Sequence, residues 1–147
     1  MKLKFKIVTP EKIVYEKEID QVTLPTSQGQ ITILPNHLPL VAILVPGELI
    51  IKNQKKEEIF MAVAHGFIEV GKNEIRVLTE TAERAEEIDE LRAQEARLRA
   101  QKLLQETKNK EMVDYTALAA KLAKETARLK VAKKKKYSPP QNFNNPR

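Results

Sequence analysis

The chain of 147 residues contains no cysteine and no tryptophan, and only 5% of its residues are aromatic. The absence of cysteine excludes a disulfide framework, a zinc ribbon, an iron–sulfur cluster and a thiol nucleophile. Two histidines, His37 and His65, leave few ways to build a histidine-based metal site. No apolar run approaches the roughly 20 residues of a membrane-spanning helix, and the first residues alternate lysine with apolar side chains. We therefore expect a folded chain that is neither inserted in a membrane nor exported.

Glycine and charge are distributed unevenly along the chain. All four glycines lie in the first 80 residues, and neither glycine nor proline occurs between Ala82 and Tyr137. Residues 1–80 contain ten basic and ten acidic side chains, whereas residues 81–147 contain sixteen and ten, so the formal charge of +6 lies entirely in the second part. This break predicts three segments, namely a β-domain over residues 1–81, a helical hairpin over residues 82–136 and a flexible tail over residues 137–147.

The first part has the pattern of short β-strands. Leu3, Phe5 and Ile7 alternate with lysines, which predicts a strand with one buried face. Turn-forming residues separate further segments of this kind, which cover residues 12–16, 19–24, 30–34, 40–44, 48–53, 57–64, 67–70 and 74–78. Nine or ten short strands in about 80 residues predict a β-sandwich or flattened barrel.

The second part has the pattern of two long helices that form an antiparallel hairpin. Alanine recurs from residue 82 to residue 132, and a polar segment at residues 107–110 predicts the turn. The second helix carries a narrow apolar stripe with a basic flank, formed by Tyr115, Leu118, Leu122 and Leu129 beside Lys121, Lys124 and Arg128. Because alanine-rich stripes bury little apolar area, we expect the hairpin to dock and undock for small changes in free energy.

Two arginines interrupt the apolar face that we predict for the first helix. With a rotation of about 100° per residue, this face contains Ile88, Arg92, Ala96, Arg99 and Leu103, with Asp89 at its margin. A guanidinium on a buried face requires an anion. Either a structural salt bridge or a bound phosphate satisfies that requirement, and salt bridges within helices are the commoner arrangement.

No group of residues has the pattern of a catalytic site. No glycine-rich loop followed by Gly-Lys-Ser or Gly-Lys-Thr is present, which excludes a Walker-type nucleotide site. His37 lies in a proline-framed turn and His65 precedes a glycine, and histidines in such positions more often bond to the backbone than transfer protons. The sequence therefore predicts a protein that is not itself an enzyme.

The lysines at residues 133–136 and the basic hairpin suggest an alternative function, binding to nucleic acid. Lysines at the end of a helix are usually solvated and interact favourably with the helix dipole. The low aromatic content also leaves no stacking platform for bases. We therefore rank a nucleic-acid-binding module second and expect no nucleic-acid partner.

Across about residues 3–132 the chain resembles the epsilon subunit family of F-type ATP synthases. The segments that carry this resemblance include residues 8–10 (Val-Thr-Pro), 14–16 (Val-Tyr-Glu), 33–40 (Ile-Leu-Pro-Asn-His-Leu-Pro-Leu), 66–70 (Gly-Phe-Ile-Glu-Val) and 82–89 (Ala-Glu-Arg-Ala-Glu-Glu-Ile-Asp). The resemblance implies an N-terminal ten-stranded β-sandwich and a C-terminal helical hairpin, in agreement with the patterning above.

The resemblance implies a non-catalytic rotor subunit that needs no cofactor. Such a subunit couples proton flow to ATP synthesis and lies peripherally at the cytoplasmic face of the bacterial plasma membrane. Its sandwich would bind the gamma subunit and the c-ring, and its hairpin would either fold onto the sandwich or extend into the catalytic alpha/beta head and inhibit ATP hydrolysis. The residues matched to the c-ring contact are Gln30, Ile31 and His37. The basic charges of Lys121, Lys124 and Arg128 predict a contact with acidic segments of the head.

The resemblance also implies a regulatory ATP site. Residues 88–93 match an Ile/Leu-Asp-x-x-Arg-Ala motif by which some bacterial members bind ATP without hydrolysing it. The matched residues are Glu83, Ile88, Asp89, Arg92, Ala93, Arg99 and Arg128, with the acidic residues toward adenosine or the surrounding fold and the arginines toward the phosphates. Lys124 stands where ATP-binding members often have another arginine, and a lysine lacks the planar fork that binds phosphate bidentately.

Overall fold

The computed structural model describes residues 2–106 and 112–134. The predicted turn at residues 107–110, the last two residues of the predicted hairpin and the predicted flexible tail at 137–147 lie outside the described residues. The ten strands are Leu3–Val8 (β1), Ile13–Ile19 (β2), Gln21–Thr26 (β3), Gly29–Ile33 (β4), Leu40–Leu44 (β5), Gly47–Lys52 (β6), Glu58–Val63 (β7), Gly66–Gly71 (β8), Glu74–Thr79 (β9) and Ala82–Arg84 (β10). A short 3₁₀ helix at Ala85–Glu87 leads to the helices Glu90–Glu106 (α1) and Met112–Lys134 (α2).

The strands form a single sheet in the order β10-β7-β6-β3-β5-β8-β9-β1-β2, and β4 pairs with β3 off this path. β1 and β9 are parallel, and the other pairs in the sheet are antiparallel. The two ends of the order meet in space, because the Arg84 guanidinium of β10 lies 5.5 Å from the ring centroid of Tyr15 in β2. The sheet therefore curls almost into a barrel.

The interior of the sandwich is filled by branched and aromatic side chains. The alternation in β1 is confirmed, because Leu3, Phe5 and Ile7 are buried while Lys4 is exposed. Facing residues from the other strands complete the core, among them Ile33, Leu44, Ile68 and Val77. The predicted fold class, a ten-stranded sandwich or flattened barrel followed by two helices, is confirmed.

The hairpin docks through one of its helices. α2 packs against β6, β7 and β10, and α1 packs against α2. A second, smaller apolar cluster joins the hairpin to the sandwich, and it consists of Ala62, Ala85, Ile88, Ala93, Leu129, Val131 and Ala132, with Phe60 packed against them. This placement leaves α1 held to the sandwich chiefly by way of α2.

The helical part begins later than the alanine pattern predicts. Residues 82–84 form β10, in which Ala82 pairs with Val63 of β7, and α1 begins only at Glu90. Alanine is a strong helix former, but helix propensity is worth little per residue, and here pairing with the edge of β7 outweighs it. The sandwich therefore extends through Arg84, three residues beyond the predicted boundary at residue 81.

Candidate functional site

The matched motif at residues 88–93 lies where the chain enters α1. Ile88 is buried in the cluster between hairpin and sandwich, and Ala93 is fully buried against α2. Asp89 caps the helix, since its Oδ1 accepts a hydrogen bond from the backbone N–H of Arg92 (3.2 Å) and its carbonyl accepts one from Ala93 (2.9 Å). The Arg92 Nε lies 3.7 Å from Asp89 Oδ2. The motif thus has a structural role in starting α1 and packing its first turn.

The prediction of which face of α1 is buried is wrong. The observed buried face is rotated about the helix axis by about one residue from the predicted face. Arg92 and Arg99 point to solvent, with 84% of the Arg92 side chain exposed. The face toward α2 is formed by Ala93, Ala96, Arg97, Ala100 and Leu104. The fully buried members of this face are the small Ala93 and Ala100, whereas Arg97 and Leu104 are partly buried at its margin. Leu91 and Leu98 are exposed. The salt bridge that the sequence left open is present for Arg92, but as an exposed pair at the helix start.

Arg128 joins two carboxylates from different elements. Its Nε lies 2.9 Å from Glu83 Oε1, its Nη2 donates to Glu83 Oε2 at 3.2 Å, and its Nη1 donates to Glu125 Oε2 at 2.8 Å. Glu83 belongs to β10, whereas Glu125 lies one turn before Arg128 on α2. We refer to these three residues as the Arg128 cluster, which connects the docked helix to the edge of the sandwich.

The neighbouring carboxylates stabilise the charged form of Arg128. Burial tends to lower the pKa of Arg128, but its hydrogen bonds to Glu125 and Glu83 and their negative charges outweigh burial, so the pKa is raised above its usual value. The Glu125 side chain is only 8% exposed. Removing the guanidinium would leave this carboxylate buried beside Glu83, which makes the docked hairpin dependent on the ion pairs.

Glu125 is the site residue that the sequence reasoning missed. The predicted stripe on α2 began at Tyr115, but Tyr115 is 43% exposed and the buried positions lie toward the C-terminal half of the helix. Leu118, Leu122, Glu125 and Leu129 follow one another at helical spacing, so the stripe contains a glutamate. The available signal was the spacing of Glu125 and Arg128, which at i and i+3 face each other on a helix.

The structure brings together some of the residues matched to ATP and separates others. Glu83 contacts Arg128, and Asp89 contacts Arg92, whereas Arg99 lies on the exposed side of α1. In the docked hairpin the Arg128 guanidinium is occupied by carboxylates. The assignment of these residues to a nucleotide stays a prediction.

The residues matched to partners lie on two surfaces. Gln30 is exposed on β4 opposite Pro25 of β3, and the half-buried Ile31 lies opposite Leu24. His37 lies in the following turn, where its Nδ1 is 2.6 Å from the carbonyl oxygen of Leu38. Its contact with the backbone agrees with the structural interpretation of this histidine. Lys121 is exposed and Lys124 half-buried on α2.

An exposed apolar surface lies on the outside of β5, β8 and β9. It consists of Val41, Ile43, Phe67 and Leu78, and we refer to it as the apolar sheet face. Ile43 is opposite Phe67, and Phe67 is opposite Leu78, so these side chains form a continuous row across three strands. The sequence did contain a signal for this surface, because β5 is apolar at every position instead of alternating. Such surfaces in soluble proteins mark contacts with other molecules.

The described residues contain no group of three or more histidine, aspartate or glutamate side chains arranged to hold a metal ion. In the same part of the chain, no helix combines the length and apolar character needed to span a membrane.

Two family models match consecutive parts of the chain. The ATP synthase delta/epsilon chain beta-sandwich domain matches residues 2–85, and the delta/epsilon chain long alpha-helix domain matches residues 86–133. ATP synthase epsilon chains from Herpetosiphon aurantiacus and Chloroflexus aggregans are each 41% identical to the chain, over 135 and 133 residues. Each alignment covers 90% of this chain, with 96% and 93% of the respective relatives.

A solved structure shares the fold of both parts. A chain of the Euglena gracilis mitochondrial ATP synthase superposes with a TM-score of 0.75 and 19% identity, covering 89% of this chain and 81% of its own length. The superposition agrees with the fold, and the family models and relatives show that the chain belongs to the epsilon chain family of ATP synthase, as a non-catalytic subunit of that complex.

Proposed function

We propose that the protein couples proton translocation to ATP synthesis as part of the rotor and restrains ATP hydrolysis through a mobile hairpin. The docked hairpin of the structure is the state that permits hydrolysis. In the restraining state the hairpin leaves the sandwich and enters the catalytic alpha/beta head. The protein acts at the cytoplasmic face of the bacterial plasma membrane, held there through the complex.

The small docking interface is the observation that carries this proposal. Four of the seven residues in the cluster between hairpin and sandwich are alanines, and the hairpin reaches the sandwich mainly through the C-terminal half of α2. Apolar burial contributes about 25 cal/mol per Å², so side chains of this size contribute little each. A partner surface of moderate affinity is then sufficient to draw the hairpin away.

The sandwich would hold the protein on the rotor. The apolar sheet face would bind an apolar stretch of the gamma subunit. Its side chains are accessible to a partner, and Val41, the most exposed of the four, is 74% exposed. The β3–β4 hairpin with Gln30 and Ile31, and the turn with His37, would contact the c-ring. The apolar sheet face lies on β5, β8 and β9, whereas α2 packs on β6, β7 and β10, so the apolar sheet face remains available when the hairpin moves.

Basic residues of α2 would contact the head. Lys121 is already exposed in the docked state, and Lys124 is partly so. Arg128 becomes available only after it leaves Glu83, which makes this contact specific to the extended hairpin. Charge complementarity with acidic segments of the head would then favour the extended state.

Truncation of the hairpin in the reconstituted complex tests the proposed inhibition. Removal of residues 88–147 leaves β10 and the 3₁₀ helix in place, so the sandwich keeps its complete sheet. We expect the rate of ATP hydrolysis to rise several-fold while assembly persists. Removal of residues 135–147 alone serves as the control. An unchanged rate with the longer deletion, in an assembled complex, refutes the inhibitory role.

We further propose that ATP binds the docked hairpin through Arg92 and Arg99, with Asp89 and Glu83 toward the adenosine end. Exposure of Arg92 and Arg99 supports this assignment, since both are accessible to a ligand. Arg128 would join only by exchanging a carboxylate for phosphate. ATP would thereby stabilise the docked state as a regulatory ligand and would not be hydrolysed.

Calorimetric titration with ATP and ADP tests the nucleotide site. We expect one-to-one ATP binding to be lost in Arg92→Ala and in Arg99→Ala. Arg76→Ala is the matched control, because Arg76 is an exposed arginine on β9, far from the hairpin in the sheet order. Absence of binding at millimolar ATP in the unmodified protein would refute the site and leave the motif with its structural role.

A further inference from the structure

A second charged contact holds the C-terminal end of α2, separate from the Arg128 cluster. Lys134 Nζ donates to Glu48 Oε1 at 3.1 Å and lies 4.5 Å from the centroid of the Phe60 ring. Glu48 belongs to β6 and is paired with Ala62 of β7, which itself lies in the cluster beneath the hairpin. The contact therefore joins the last turn of α2 to the two strands on which it rests.

Glu48 is an unusual residue for this position. Its side chain is only 7% exposed, and its Oε2 atom is buried with no hydrogen-bond partner among the described residues. A buried carboxylate is costly unless a cation compensates it. Lys134 supplies that charge in the docked state. When α2 leaves, the surface of β6 and β7 beneath it opens and water can hydrate Glu48.

We propose that Glu48, Lys134 and Phe60 form a latch that sets the ratio of docked to undocked hairpin. The regulatory meaning of the latch rests on the proposed function, but the latch itself concerns only the docking of α2 on the sandwich. Lys134 closes it by neutralising Glu48 and by placing its cation over the aromatic ring. Its position in the last turn of α2 also suits a positive charge at the helix C-terminus.

The latch predicts unequal effects for its two charges. Loss of the lysine charge leaves the Glu48 side chain buried under the docked helix without its cation. Loss of the Glu48 charge leaves a lysine whose side chain is 34% exposed and is able to reach water. We therefore expect Lys134→Met to favour undocking more strongly than Glu48→Gln. In the double variant residue 48 carries no charge that needs a cation, so removal of the lysine adds little and the double variant should resemble Glu48→Gln alone.

Thiol labelling of the isolated full-length protein measures undocking directly. The chain contains no cysteine, so Val131→Cys introduces a single thiol at a fully buried position of the docking interface. The labelling rate of this thiol reports the opening of the interface when closing is faster than labelling. Val77→Cys, in the core of the sandwich, reports global unfolding in a parallel background.

In the Val131→Cys background we expect Lys134→Met to raise the labelling rate about tenfold and Glu48→Gln about threefold, with the double variant close to threefold. Lys133→Met is the matched control on the same helical turn, where the side chain is exposed, and it should change the rate less than twofold. Glu58→Gln is the corresponding control on the sheet, since Glu58 is exposed on β7.

Three results would overturn the latch. The first is equal acceleration by Lys133→Met and Lys134→Met. The second is a double variant that accelerates labelling about thirtyfold, the product of independent effects. The third is equal acceleration of labelling at Val77→Cys, which would indicate a general loss of stability. None of these measurements involves ATP hydrolysis, so the latch and the proposed inhibition fail or hold separately.

Discussion

The sandwich and the docking interface of the hairpin are stabilised by different side chains. The sandwich core contains eighteen buried residues, of which only Ala82 is an alanine, whereas the docking cluster contains seven residues with four alanines. Branched and aromatic side chains bury more apolar surface each, and tight packing makes their loss costly. Less apolar surface therefore holds the hairpin to the sandwich than holds the sandwich together.

The ion pairs of the sandwich and those of the docking interface differ in how deeply their carboxylates are buried. On the sandwich, Lys2–Glu18 and Arg76–Glu69 are about half exposed with contacts of 3.8 Å. Lys56–Asp20 is shorter, at 2.7 Å, but its lysine side chain is 71% exposed and its aspartate 24%. At the docking interface, Arg128 and Lys134 contact carboxylates that are less than a tenth exposed, at 2.8 and 3.1 Å. Exposed pairs contribute little to stability, but a buried carboxylate without its partner is strongly destabilising. Ion pairs therefore contribute to stability chiefly at the docking interface of the hairpin.

Deletion of a large side chain in each region should separate global stability from docking. Phe5→Ala is expected to lower the free energy of unfolding by about 3–5 kcal/mol, because Phe5 is buried in the sandwich core. Leu129→Ala, in the docking cluster, should leave the unfolding midpoint of the sandwich nearly unchanged and instead expose the interface. Urea unfolding with a near-ultraviolet signal from the sandwich measures the first quantity. Equal losses from the two variants would contradict the separation.

The next largest effect on stability is expected at Gly66, where β8 lies very close to β9. A Cβ added at Gly66 of β8 would lie 1.9 Å from the carbonyl oxygen of Leu78 in β9. Because this contact is with backbone, Gly66→Ala should cost about 3 kcal/mol of unfolding free energy. Gly71→Ala is the matched control in the same strand, where the nearest atom lies at an ordinary 3.9 Å. Comparable melting temperatures for the two variants would show that β8 and β9 can separate.

The rotation of α1 can be tested by enlarging its packed face. Ala93 is completely buried, so Ala93→Leu should overpack the interface and disfavour docking by about 1–3 kcal/mol. Leu91→Ala, two residues earlier on the exposed side, should change docking by less than about 0.5 kcal/mol. The thiol at Val131→Cys reports both effects through its labelling rate. A larger effect from Leu91→Ala than from Ala93→Leu would contradict the placement of Ala93 on the packed face.

The sandwich was predictable because the alternation of apolar and polar residues in a strand indicates which face is buried. Leu3, Phe5 and Ile7 alternate with lysine, and no other register buries the apolar set. In α1 the same reasoning failed, because alanine is both a strong helix former and a small packing residue, so the pattern did not mark one face. The predicted face took Ile88, Ala96 and Leu103 as its apolar members, whereas close approach of α2 selected Ala93 and Ala100.

The docking contacts depend on partners that are distant in sequence. Arg128 and Glu83 are 45 residues apart, and Lys134 and Glu48 are 86 apart. Nothing local distinguishes a glutamate that will lie beneath a helix from one that stays in water. The spacing of Glu125 and Arg128 was visible in the sequence, but such pairs are usually exposed and carry no signal of burial.

The smallest expected effect concerns Tyr15, which joins the two edges of the sheet. Burial raises the pKa of Tyr15, and the nearby Arg84 charge opposes this only in part. Its hydroxyl is buried and has no hydrogen-bond partner among the described residues. Tyr15→Phe should therefore change the free energy of unfolding at pH 7 by less than about 1 kcal/mol, while keeping the aromatic packing on Phe5.

The dependence of the unfolding free energy on pH above about 10 provides a second test of this substitution. Because the folded protein holds the Tyr15 proton more tightly than the unfolded chain, the stability linked to it is complete below about pH 10 and is lost as pH rises beyond that value. Tyr15→Phe should lose less stability than the unmodified protein above pH 10. Tyr115→Phe, which removes an exposed hydroxyl from α2, is the control at pH 7. A large loss in Tyr15→Phe at pH 7 would mean that the hydroxyl stabilises the seam between β2 and β10, and that this edge of the sandwich depends on polar contacts as the docking interface does.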